Sequence, residues 1–252
     1  MAAIVYAFYD AANSLLSPYG RGNWSRLSYS QIQKERQMKV ELISTTQDIA
    51  GTMSTEELIV SIARVSNPSN QGNHQTAPRL IKYMIDHKHW SPFEMVDITF
   101  EITTSRAIAA QLLRHRSFSF QEFSQRYAEV QGMEPIEFRQ QAEKNRQSSE
   151  EIHIKGHKYN VDIYEPMELL FGMYKEMVEN GVSKETARMI LPLATTTRLY
   201  MKGSVRSWIH YLQVRTGPDT QKEHREIAEA IKVLFNKYFP KTAEALNMDG
   251  ND

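Results

Sequence analysis

The amino-acid sequence predicts an α+β fold, and three observations lead there. Val96, Ile98, Phe100 and Ile102 alternate with Asp97, Thr99, Glu101 and Thr103, the pattern of a half-buried antiparallel strand. Several longer stretches carry apolar residues at helical spacing instead. The two kinds of segment do not follow the strand–helix–strand rhythm that a parallel sheet requires.

Taken in order, residues 1–37 are rich in Ser, Tyr, Asn and Gly without a sustained period. They read as an N-terminal extension ahead of a domain spanning 38–245, with Met38 as an alternative start of translation. Lys39-Val40-Glu41-Leu42-Ile43 alternates as a strand does. Ser54-Thr55-Glu56-Glu57 is a capping box, followed by the stripe Leu58, Ile59, Ile62 and Ala63. After a polar loop, Leu80, Ile81, Met84 and Ile85 mark a second helix, opened at Thr76 or Ala77 with Pro78 in its first turn.

Beyond the strand at 96–103, Ser105 can cap a helix whose apolar face is Ile108, Ala109, Leu112 and Leu113. That helix delivers Gln111, Arg114 and His115 at its end, and residues 117–126 read as a loop. Residues 129–162 are polar and weakly periodic, which predicts a solvated helix or a mobile excursion. Pro166 is expected to open a helix through Leu169, Leu170, Met173, Tyr174 and Met177, stopping near Asn180-Gly181. Ser183 starts a shorter helix that carries Arg188 and ends before Pro192. Val205, Trp208, Ile209 and Leu212 form a further stripe, leaving Arg206 and His210 on another face. Asp219 or Thr220 caps a last helix through Ile227, Ile231, Leu234 and Phe235, closed by Pro240.

Composition removes several classes of function. The 252 residues hold 30 Lys plus Arg and 30 Asp plus Glu, so no global field draws the chain to nucleic acid or an anionic membrane. No apolar run approaches the roughly 18 residues that span a bilayer. Cysteine is absent, which excludes disulfides, thiolate metal sites and a thiolate nucleophile, and a reducing cytoplasm is the natural setting. His87 and His89 lack a third ligand at sensible spacing, so no metal is expected; they suit a helix C-terminus.

The segment from Arg114 to Arg126 is different in kind. It packs Arg114, His115, Arg116, Ser117, Glu122, Ser124 and Arg126 around Phe118, Phe120 and Phe123, and Gln111 precedes it on the same helix face. A basic surface loop with ordinary ion pairs is the plain alternative. Arginine forks, however, bind phosphate oxygens bidentately and stack on flat rings, which suits a nucleotide or a flavin.

Arg-His-Arg, seven residues, then Ser and an Arg two further on closely resembles the signature of the flavin-dependent thymidylate synthases. The resemblance runs from about residue 39 to 240. It implies that Arg114, His115, Arg116 and Ser117 bind FAD. It implies that Gln111, Leu112, Leu113 and Arg114, with Glu122, Phe123, Ser124, Gln125 and Arg126, bind the substrate dUMP, Glu122 touching both ligands. His89-Trp90-Ser91-Pro92-Phe93-Glu94 resembles a family segment whose hydroxyl meets the flavin, implicating Ser91. Ala187 to Leu193 resembles a block whose arginine, here Arg188, binds the substrate. Ser204, Val205, Arg206 and His210 match a third flavin-binding block, with Ser204 where asparagine is common. Taken alone, Arg188 is a helix-end arginine, and Arg206 with His210 a solvated face.

The resemblance further implies a central curved, mainly antiparallel sheet surrounded by helices, and a homotetramer whose active sites are shared between subunits. The implied reaction is reductive methylation of dUMP to dTMP, with methylenetetrahydrofolate as carbon donor and NADPH as reductant. Arg215 is the expected catalytic residue. Its guanidinium stays protonated, so it stabilises negative charge on the uracil edge rather than acting as a base. Two other classes are disfavoured: a nucleotide hydrolase would need a metal cluster or Gly-rich phosphate loop, and an RNA-binding module a basic surface.

Overall fold

The computed structural model describes residues 38–130, 132–153 and 157–248; the expected extension at 1–37 lies outside them. Its centre is an antiparallel sheet of four strands, β1 (Lys39–Thr45), β2 (Asp97–Ser105), β3 (Ser119–Glu122) and β6 (Thr196–Ser204), in the order β1-β2-β6-β3. A two-stranded hairpin, β4 (Arg139–Gln141) and β5 (Ser149–His153), lies apart from that sheet. A register shift between Leu42 and Ser44 interrupts β1, and such irregularities increase a sheet's twist.

The helices are α1 (Thr55–Ala63), α2 (Ala77–Asp86), α3 (Ser91–Glu94), α4 (Arg106–Leu112), α5 (His157–Glu179), α6 (Lys184–Ala187), α7 (Val205–Arg215), α8 (Lys222–Tyr238) and α9 (Pro240–Ala245). The capping box at α1 is formed in both directions between Ser54 and Glu57. In β2 the alternation of burial follows the alternation of sequence. Ile98, Phe100 and Ile102 join Leu199 and Met201 of β6 under Trp208, Ile209 and Leu212 of α7 and Ile227, Ile231 and Phe235 of α8. Trp208 is fully buried and donates its indole N–H to the Ile98 carbonyl at 3.1 Å. Burying such a ring contributes on the order of 2–3 kcal/mol provided its N–H is satisfied.

Several expectations are corrected. Residues 119–122 are not loop: they pair with β6 from Ser119↔Lys202 to Glu122↔Leu199. The partner, β6, is absent from the sequence reading, although Thr197, Leu199, Met201 and Gly203 bury alternately along it. A threonine and a glycine among the four inner-face residues leave too weak an apolar signal. The polar stretch 129–162 contains the β4–β5 hairpin and the start of α5. Pro166 lies inside α5 rather than opening it, because the residues ahead of it carry no apolar stripe to announce helix.

Within α5, Met167, Phe171 and Tyr174 are buried with Val130 and Met133 in a second, smaller core, whereas Leu169 is exposed. The N-cap of α8 is Gln221, not Asp219 or Thr220, and Ser105 makes no side-chain capping bond. Leu113 is 40% exposed, since α4 ends at Leu112 and the backbone turns away.

β2 and β6 run antiparallel in a register from Asp97↔Ser204 to Ser105↔Thr196. Each feeds a helix directly, β2 into α4 and β6 into α7. Those two helices therefore leave opposite ends of one strand pair, and this arrangement sets the site.

Candidate functional site: a cationic turn on a buried polar chain

After α4 the chain descends through tight turns: Arg114 N–H to Gln111 O (3.3 Å), His115 N–H to Leu112 O (3.0 Å) and Phe118 N–H to His115 O (3.2 Å). The turns send alternate side chains in opposite directions. Phe118 packs edge-on against Trp208, with ring centres 4.6 Å apart, and His115 meets Tyr211 at 5.1 Å. Arg114, Arg116 and Ser117 face outward and are exposed. Among the described residues, neither the Arg114 nor the Arg116 guanidinium has an ion-pair or hydrogen-bond partner. Gly203 permits this packing, because a Cβ there would stand 2.5 Å from the Phe118 ring.

Beneath the turn lies a polar chain that is buried at His224 and Tyr211 and reaches the surface at Gln221. Arg215, at the end of α7, donates Nε–H to Nε2 of His115 at 3.0 Å. Burial first, then the charges of Arg215 and His210, push the His115 pKa down to about 4. The imidazole is therefore neutral and can accept. His224 of α8 is fully buried and bonded at both ring nitrogens, Nδ1 to Gln111 Oε1 (3.2 Å) and Nε2 to Tyr211 Oη (3.1 Å). Burial, then Arg215 and His115, lower its pKa to about 3. Burial likewise pushes the Tyr211 phenol upward, so its proton stays in place.

Gln111 Nε2 donates to Gln221 Oε1 (2.6 Å), and Gln221 Nε2 donates to Glu223 Oε2 (2.9 Å). Arg139 reaches both Glu223 oxygens, at 2.7 and 2.8 Å. Burial opposes the Glu223 charge, but its own backbone N–H, Arg139 and Gln221 outweigh that and lower its pKa. A polar cleft of about 400 Å³ opens beside these groups between the β4–β5 hairpin and the start of α8. Arg139, Ser149, Gln221, Lys222 and Arg225 are among the residues lining it.

The remaining predicted residues fall into two further groups. Glu122, on β3, accepts from Arg106 at 2.5 Å and Thr197 at 2.9 Å. Phe123 and the exposed Ser124 follow it; Gln125 is 6% exposed with Nε2 unbonded, and the exposed Arg126 pairs with Glu185 of α6 at 3.0 Å. Arg188 follows α6, its Nε buried without a partner. At the other end of β6, Ser204 caps α7 by accepting from Ser207 N–H (3.2 Å), and Arg206 pairs with Glu94 of α3, the helix that Ser91 begins. Ser207 Oγ donates to the Ser117 carbonyl at 3.4 Å, joining this group to the cationic turn. His210 is exposed midway along α7. Leu112 and Val205 bury their side chains in the core, so neither offers one to a ligand.

One chain thus brings together Gln111, Arg114–Ser117, His115, Arg215 and the Ser91–Arg206 end. It does not bring Arg126 and Arg188 to them. Phe123 bonds to Arg198 near the start of β6, whereas Ser117 bonds beyond its end. From Arg198 to Ser204 the strand spans about 20 Å at ~3.3 Å per residue.

Sequence reasoning missed His224, Tyr211, Gln221, Glu223 and Arg139. His224 was within reach, because it continues the buried spacing of Ile227, Ala228, Ile231 and Phe235 back to the start of α8. A histidine at such a position must be bonded at both nitrogens. Nothing in sequence marks the others.

Among the described residues there is no group of three His, Asp or Glu able to hold a metal, and no helix is long and apolar enough to cross a membrane. Residues 48–241 match the family model described as thymidylate synthase complementing protein. A probable flavin-dependent thymidylate synthase of Paramecium bursaria Chlorella virus 1 is 49% identical over 218 residues, covering 83% of this chain and 99% of that protein. The flavin-dependent thymidylate synthase of Synechocystis sp. is 52% identical over 196 residues, covering 77% and 90%. In fold, the chain is similar to a crystal structure of a UMP/dUMP methylase, PolB from Streptomyces cacaoi, bound with 5-Br dUMP. Its TM-score is 0.72 and its identity 26%, covering 84% of this chain and 96% of that one. The chain belongs to the flavin-dependent thymidylate synthase family.

Proposed function

We propose that this protein converts dUMP to dTMP, with FAD as redox cofactor, methylenetetrahydrofolate as carbon donor and NADPH as reductant. The observation that carries the reading is the cationic turn. Arg114 and Arg116 project from an anchored backbone with no counter-anion among the described residues, and Arg215 stands behind them on a neutral histidine. Uncompensated guanidinium forks beside exposed hydroxyls at Ser117 and Ser91 fit the phosphates of a flavin dinucleotide or a nucleotide. The buried, unbonded Nε of Arg188 and Nε2 of Gln125 are donors waiting for acceptors, which fits the substrate side.

The flavin, when bound, supplies the redox chemistry, and the protein supplies binding and electrostatics. With no cysteine in the chain, no protein thiolate can add to the uracil ring to activate carbon 5. Arg215 takes over that task by stabilising negative charge on the uracil N3–O edge. Its Nε is occupied by His115, which leaves the two terminal nitrogens as the face it offers. Arg114 and Arg116 hold anionic groups, while Glu122, braced by Arg106 and Thr197, presents its other oxygen.

Assembly follows from the same layout. Arg126 and Arg188 lie too far along β6 to serve the Arg114–Arg215 cluster of their own chain. They sit instead beside exposed Tyr127, Met189 and Leu193, apolar residues of the kind that subunit contacts cover. A homotetramer in which one subunit's Arg126–Arg188 end completes another's cationic turn accounts for both facts. We place the protein in the cytoplasm, a setting that the absence of cysteine permits, as it permits any other.

The direct test is an absorbance spectrum of the purified protein together with tritium release from dUMP labelled at carbon 5, with and without added FAD. A flavin spectrum and flavin-dependent release are expected. A colourless protein that releases no tritium under any condition would end the reading.

A further inference from the structure

The hydrogen-bonded chain under the site has a direction, and the carboxylate at its end sets it. Glu223 only accepts, so the Gln221 group facing it is the amide nitrogen, and Gln221 turns its oxygen to Gln111. Gln111 must then donate through Nε2 and turn its oxygen to His224. His224 consequently carries its proton on Nδ1 and accepts through Nε2 from the Tyr211 hydroxyl. Every donor meets an acceptor in this order alone. The oxygen end of the Gln111 amide is closed by a fully buried ring, while the nitrogen end lies at the exposed side with one hydrogen remaining.

We propose that His224 is a positioning residue for substrate selection. By holding the Gln111 oxygen, it makes Gln111 a fixed hydrogen-bond donor for an acceptor oxygen of the bound nucleotide. This rests on the dUMP reading above and extends it. Either a uracil carbonyl or a phosphate oxygen supplies the acceptor chemistry. A cytosine ring presents an amino group where uracil has its 4-carbonyl, and it would set donor against donor. Without His224 the amide is free to rotate, and the site loses that preference.

The test compares His224→Phe, which removes the donor to Gln111, with His224→Asn, whose amide nitrogen can stand where Nδ1 stood. Flavin absorbance and melting temperature establish that each variant is folded. His224→Phe is expected to raise KM for dUMP about five- to tenfold with kcat within about twofold, and His224→Asn to restore KM to within about threefold. Gln221→Ala, which frees the other end of the same amide, should raise KM similarly and stands in if His224→Phe loses flavin. Competition by dCMP separates the acceptors: inhibition that holds or tightens in His224→Phe while KM for dUMP rises identifies the base carbonyl, and inhibition that weakens in step with KM identifies the phosphate, which both nucleotides share. Folded variants with wild-type KM, or an Asn variant no better than Phe, overturn the proposal while leaving the function standing. A wild-type protein that releases no tritium from dUMP overturns both.

Discussion

Arg215 and His115 meet through two nitrogens, Arg215 Nε donating to His115 Nε2 at 3.0 Å. A positively charged side chain is here held by an uncharged one. Among the described residues nothing bonds the two terminal nitrogens, and the guanidinium keeps the charge that a carboxylate partner would have partly neutralised. Arg215→Ala should therefore retain FAD and lose about 10²–10³ in kcat, the scale found when a transition-state donor is removed. Absorbance of bound flavin and tritium release in one preparation check this; normal turnover would remove Arg215 from the chemistry.

The same pair sets a pH limit. His115 is neutral because burial and nearby cations depress its pKa to about 4, and protonation would take away the acceptor that Arg215 uses. Activity is expected to hold from neutral pH downward and then fall along an acid limb as pH approaches about 4, provided the fold survives. A kcat/KM profile at constant ionic strength tests it. An acid limb near the ordinary histidine value would mean that His115 titrates freely.

Stability should show a related dependence. His115 and His224 have folded pKa values of about 4 and about 3, below the ordinary value of 6.5 that the unfolded chain recovers. The unfolded state then binds more protons below pH 6.5, so stability is fully present above that pH and is lost as pH falls toward the folded values. Melting temperatures between pH 7 and pH 5 should decline, and His224→Asn should reduce the decline. An identical slope in the variant would count against the assignment.

Gly203→Ala tests the anchoring of the cationic turn. The added Cβ would approach the Phe118 ring to 2.5 Å, and two neighbours of that ring, Trp208 and Tyr211, are fully buried. A cost of about 1–3 kcal/mol is expected, with a lower melting temperature and weaker flavin retention because Phe118 carries the Arg114–Ser117 backbone. Unchanged flavin content in a destabilised variant would separate the fold from the site.

The divided site predicts complementation. Arg188→Ala and Arg215→Ala should each be nearly inactive, but mixed and reassembled subunits should regain part of the wild-type activity. Intact sites can form between chains bearing different lesions. Light scattering on the same samples reports the oligomer, and a stable active monomer would contradict sharing.

Much of this was legible in the sequence. The β2 alternation, the α1 capping box and the α7 stripe are local patterns, and each formed where the pattern lay. The Arg114–Arg126 segment was recognisable because its groups are neighbours in sequence. β6 was not legible, since threonine and glycine on its inner face succeed only through what packs on them. Nor were the β4–β5 hairpin and the full length of α5, which lie in a polar stretch without a period.

By itself, then, the sequence determined which side chains could handle phosphates and a pyrimidine, and that no thiolate would take part. Those properties belong to residue types and short spacings. Only the tertiary structure decided that Arg215 rests on a neutral His115, that His224 orients Gln111 across 113 positions, and that Arg126 and Arg188 lie apart from the rest. Protonation states and hydrogen-bond direction depend on burial and on partners distant in the chain, and neither is set until the strands and helices have packed.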